Sequence, residues 1–130
     1  MSEELLSRAR LLVELLEQAN NVLTEFKQSR ATQTLDRFEE LIQRSEIVWA
    51  EFVEQCQQCN CPSKGLNNAA ILVRFSITIL RERKETVIHN PEEEDIPLKA
   101  RHMYKLGPNV GVHDRIEQEL DGLLTTIPSV

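Results

Sequence analysis

At 130 residues the chain has the size of a single domain and can bury one modest core. Hydrophobic residues at 41% and charged residues at 28% place it with folded chains rather than disordered ones. A net charge of −6 and a pI near 5.1 argue against a nucleic-acid surface, which draws its affinity from a basic face, and no basic amphipathic stretch suits an anionic membrane.

The opening MSEELLSRAR has the acids and leucines of a helix rather than a secretory signal. Within it begins a series at spacings of four and three, Leu5, Ala9, Leu12, Leu16, Ala19, Leu23 and Phe26, which is the seam of a helix packed along its length. Leu6, Leu11, Val13, Leu15 and Val22 widen the stripe, so this helix, over about residues 3–28, is expected to touch more than one neighbour. Residues 12–16, LVELL, also fit the LxxLL docking pattern, but their place inside the seam favours core packing.

After QSRATQ, where Thr32 or Thr34 can cap a new helix, the spacing restarts. Leu35, Phe38, Ile42, Ser45, Trp49, Phe52, Cys56 and Cys59 predict a second helix over about 33–59, antiparallel to the first in a coiled-coil-like hairpin. Phe38, Trp49 and Phe52 are its expected anchors, in the core or at an interface with a partner. If Trp49 is core, Trp49→Ala costs several kcal/mol; if it is an interface residue, melting is unchanged and binding is lost. Glu39, Glu40, Glu46, Glu51 and Glu54 fall mostly off the seam, as a solvated face should.

CQQCNC, residues 56–61, holds all three cysteines. A zinc site needs a second ligand pair, and Cys61, His89, His102 and His113 do not supply one at the usual spacing. A redox dithiol sits at a helix N-terminus, whereas these cysteines sit at the opposite end. They read best as the end of an apolar seam, with a small zinc protein kept as an alternative.

Punctuation changes at CPSKG. Every glycine and proline of the chain lies in residues 62–130. Ile71, Val73, Phe75, Ile77 and Ile79 alternate as in a strand, while Leu66, Ala70, Val73, Ile77 and Leu80 form a helical stripe extended by RERKE. We expect a helix over about 66–88, because a lone strand beside a hairpin has no partner for its backbone. Residues 1–89 would then form the helical domain, residues 90–112 a linker rich in proline and charge, and residues 113–130 a short terminal helix with a tail. Neither the EEED run (92–95) nor the KARHMYK run (99–105) makes a binding surface on its own.

On that terminal helix Ile116, Leu120, Leu123 and Ile127 share one face, next to Leu124. LDGLLTTI, residues 120–127, resembles the LD motifs of the paxillin family, with Leu120, Asp121, Leu123 and Leu124 on the pattern and Ile127 in place of the final leucine. The resemblance implies a short amphipathic helix that docks in a groove of a helical bundle, either on a partner or on this chain's own bundle. Gly122 weakens helix formation, and Pro128 ends it. The hairpin sequence is also loosely similar to the amino-terminal helices of some retroelement Gag polyproteins and to spectrin repeats, with no functional residue implied by either.

The sequence therefore predicts an all-α fold: a long antiparallel hairpin, a third helix packed on it, and a terminal helix after a linker. No nucleophile motif, phosphate loop or dinucleotide fingerprint appears. The function expected is that of a non-catalytic adaptor or scaffold module in a reducing cytoplasmic or nuclear setting, without cofactor, small-molecule substrate or membrane span. It would hold another protein, or a second copy in a homodimer, through apolar helix faces; capsid-like self-assembly is a further alternative.

Overall fold

A computed structural model describes residues 2–58 and 63–89 together with residues 92, 118, 120 and 122. Three helices, α1 (Ser2–Ser29), α2 (Thr32–Gln58) and α3 (Ser63–His89), run up, down and up, and α1 packs against both of the others. The fold is all-α, and the described part of residues 66–88 is helical rather than extended.

The α1 seam is buried as spaced: Leu5, Ala9, Leu12, Leu16, Ala19, Leu23 and Phe26 are all in the core. Facing them, α2 buries Phe38, Ile42, Phe52 and Cys56, with Trp49 half-buried and stacked on Phe52 at a centroid distance of 5.6 Å. Ser45 is also fully buried, and its hydroxyl donates to the Leu41 carbonyl at 2.8 Å, so the apolar seam carries one polar side chain without an unmet hydrogen bond.

The buried face of α3 departs from the predicted stripe. Val73 and Leu80 lie within it, Leu66, Ala70 and Ile77 flank it, and Ala69, Leu72, Ser76, Ile79 and Val87 are buried as well. The predicted stripe runs one position off the innermost line at Ala70 and Ile77, because Ala69 and Ser76, which are small or polar, give no apolar signal that marks them as the buried positions. The helix also starts earlier than predicted, at Ser63, so Gly65 lies inside its first turn.

The hairpin turns on Arg30 and Ala31. Arg30 has a φ of 58°, and its amide donates to the Phe26 carbonyl at 2.8 Å, the bond that closes a helix through a left-handed residue. Glycine usually fills this position, because a side chain there costs roughly 1 kcal/mol or more. Here the arginine side chain makes contacts that a glycine could not. Its Cζ lies 4.7 Å from the Phe26 ring centre, and its guanidinium donates to the Val87 and Ile88 carbonyls at 2.7 and 3.0 Å. Those carbonyls belong to the negative end of α3, so Arg30 caps α3 from the turn between the other two helices.

Candidate functional site

Two kinds of surface surround this core, one ionic and one apolar. On the side of α2 facing α3, the Lys84 ammonium donates to Glu39 Oε1 at 2.6 Å, and Arg81 reaches both Glu39 and Glu46, at 3.3 and 3.6 Å. Lys84 also lies 5.8 Å above the Phe38 ring. The hydrogen bond from Lys84 holds the Glu39 carboxyl below its ordinary 4.5, against the opposing effect of partial burial and with further help from the charges of Lys84 and Arg81. Glu39 and Glu46 are thus not part of a merely solvated face: they tie α2 to α3. Arg83 does the same for α1, donating to the Asn20 carbonyl and side-chain oxygen at 2.7 and 2.6 Å and to Thr24 Oγ1 at 3.0 Å.

Turning away from α3, α1 and α2 form an outward groove. Its concave part, about 380 Å³, has Val22 and Leu41 as its apolar floor and Gln18, Asn21, Glu25, Arg37, Glu40 and Arg44 as its polar rim. Arg37 and Glu25 pair across one end at 3.4 Å. The register fixed by these contacts places residues 11, 18 and 25 of α1 on one line and residues 37, 40, 44, 47 and 51 of α2 on the opposite line. Arg8 and Glu51, 3.3 Å apart, confirm that register at the far end.

Leu11 and Ile47 lie on these two lines, 38% and 58% exposed, and both are large apolar residues among charged neighbours. They extend the two lines beyond the concave part, and each line, residues 11–25 on α1 and 37–51 on α2, is about 21 Å long at 1.5 Å rise per residue. In the sequence Leu11 stands out only as a widening of the α1 stripe, and Ile47 belongs to no predicted stripe at all. The signal for Ile47 was an isoleucine amid charged residues of α2, but its meaning depends on the register between two helices, which one helix's periodicity does not carry.

The residues singled out from sequence divide differently. Phe38 and Phe52 are completely buried in the core, and half-buried Trp49 packs on Phe52. Leu120 is 1% exposed and belongs to the same apolar cluster as the residues of α1, α2 and α3. Ile116, Leu123, Leu124 and Ile127 lie outside the described residues, as do Cys59 and Cys61; Cys56 is fully buried in the core. Among the described residues no three histidine, cysteine or acidic side chains are grouped to hold a metal ion, and no helix is long and apolar enough to cross a membrane.

Compared with known proteins, the chain matches no family model, no curated protein and no solved structure.

Proposed function

We propose that this protein is a non-catalytic interaction module, an adaptor or scaffold that holds an amphipathic helix of a partner protein in the outer groove of its α1/α2 hairpin. The observation that carries this reading is the exposure of Leu11 and Ile47 on the two helix lines that, further along, flank a concave surface with an apolar floor and a polar rim. A helix laid in such a groove buries an apolar stripe and leaves its charged sides to meet the rim. The rim holds Glu25 and Glu40 against Arg37 and Arg44, so it is balanced on a chain of net charge −6. That balance favours a partner helix with both signs of charge along its flanks over a polyanion or a strongly basic segment.

Supporting an intracellular setting is the small number of cysteines, of which Cys56 is spent on the core. Affinity purification with the Leu11→Glu/Ile47→Glu variant tests the reading. Both side chains are exposed, so the helical circular-dichroism signal and the melting temperature should match the wild type. A binding partner recovered with the wild type should be lost with the variant. Undiminished recovery of every partner would remove the groove from the account, and wild-type assembly into a homodimer that the variant disrupts would assign the groove to a second copy instead.

A further inference from the structure

The last third of α3 is fastened differently from the rest of that helix. Residues 69–80 bury Ala69, Leu72, Val73, Ser76, Ile79 and Leu80, whereas over residues 81–89 only Val87 is buried. Four cationic side chains join this last stretch to the hairpin. Lys84 meets Glu39, Arg81 meets Glu39 and Glu46, and Arg83 meets Asn20 and Thr24. Arg30 reaches from the turn to the Val87 and Ile88 carbonyls.

Charge separates the two kinds of fastening. Apolar burial does not depend on charge and survives added salt. Ion pairs open to water lose their attraction as the screening length falls from about 30 Å at about 0.01 M salt to about 3 Å at about 1 M. The pairs on α3 are open in this sense: the side chains of Arg81 and Glu46 are 47% and 55% exposed, and those of Lys84 and Glu39 are 21% and 35% exposed. Removing the charge of Lys84 acts in the same direction, because it takes a hydrogen bond from Glu39 and the cation from the face of the Phe38 ring.

We propose that residues 81–89 are a charge-controlled clasp on the turn end of the hairpin. It is closed while its cations hold the oxygens of α1 and α2, and it opens as one unit when salt screens those cations or a modification neutralises Lys84, while residues 69–80 and the hairpin stay folded. Opening takes Lys84 off the Phe38 ring and the Val87 and Ile88 carbonyls away from Arg30. The clasp is independent of the outer groove, to which α3 contributes no lining residue.

Amide hydrogen exchange on the full chain, resolved residue by residue by NMR, tests it at about 0.01 M and about 1 M sodium chloride. The amides of residues 85–89 should speed up together by about tenfold at high salt relative to those of α1, α2 and residues 73–80. Lys84→Gln at low salt should reproduce much of that acceleration, and Lys84→Arg, which keeps the charge, should stay close to the wild type. Rates that only grade inward from His89 and are the same in the wild type and Lys84→Gln at both salts would overturn the clasp, since that is ordinary fraying of a helix end. Equal acceleration of all three helices would overturn it by making α3 and the hairpin one cooperative unit, and equal effects of Lys84→Gln and Lys84→Arg would overturn control by charge.

Discussion

Along α1 and α2 the contact is a long run of apolar side chains interrupted only by Ser45, Leu5 to Phe26 on one helix against Phe38 to Cys56 on the other, whereas the last third of α3 is also tied down by Arg81, Arg83 and Lys84 and by Arg30 reaching up from the hairpin turn. The first kind of contact supplies most of the free energy, because it removes apolar surface from water, but a repeating seam also tolerates displacement by one repeat. The second kind supplies less and specifies more, since a guanidinium that must reach two particular carbonyls admits one register. The hairpin is stable because of its seam, and α3 is located because of its polar contacts. The outer groove follows from the same division: the α1 stripe is wider than α2 and α3 together cover, so Leu11 remains exposed.

The division can be broken at its strong side first. Phe38→Ala or Phe52→Ala removes a fully buried ring from the seam and should cost about 3–5 kcal/mol in denaturant unfolding. A cost below about 1 kcal/mol in both would show that the seam is not the main source of stability.

Next comes Arg30. Arg30→Ala loses the cap on α3 and keeps the unfavourable φ, and a cost of about 1–3 kcal/mol is expected. Arg30→Gly loses the same cap but accepts the φ, so it should be more stable than the alanine variant by about 1 kcal/mol. Equal stability of the two would mean that the left-handed turn carries no strain.

Smaller still is Glu39→Gln. The carboxylate is about one-third exposed, and solvent screening holds its contribution below about 1 kcal/mol. Its folded-state value lies below the ordinary 4.5, so the unfolded chain takes up the proton first as pH falls. The stability due to Glu39 is therefore complete above the ordinary glutamate range and is lost as pH drops through the lowered value. Acid titration of the melting temperature should show a shallower fall below pH 4.5 in Glu39→Gln than in the wild type. Parallel curves would mean that the link between α2 and α3 contributes nothing.

How much of this was legible in the sequence follows the same line. The hairpin was legible because an apolar residue every three or four positions admits one arrangement, and Cys56 could be placed in the core for that reason. The helical state of α3 was legible only by exclusion of a strand, and its buried face was misplaced because Ala69 and Ser76 look unremarkable beside Ile71 and Ile77. Arg30 gave no signal at all: a left-handed arginine looks like any other arginine until the carbonyls of α3 are brought to it. The ion pairs of Glu39 and Glu46 were hidden for the same reason, since they depend on which helix lies beside which. Leu120 was recognised as apolar and helical, but whether it meets this body or another is a question of tertiary packing, and in the structure it lies in the chain's own core.

The outer groove is the binding face we propose, and residue 71 gives that proposal an internal control. Ile71 is 65% exposed, more than Leu11 or Ile47, but it lies on α3, which contributes no residue to the concave surface between α1 and α2. A photo-crosslinking amino acid placed in turn at positions 11, 47 and 71 of the full chain in cells, followed by mapping of the crosslinked peptides, measures the difference. Positions 11 and 47 should crosslink to one and the same helical segment of a partner protein, and position 71 should give only background. Crosslinking from position 71 as strong as from 47, or none from either 11 or 47, would contradict the account.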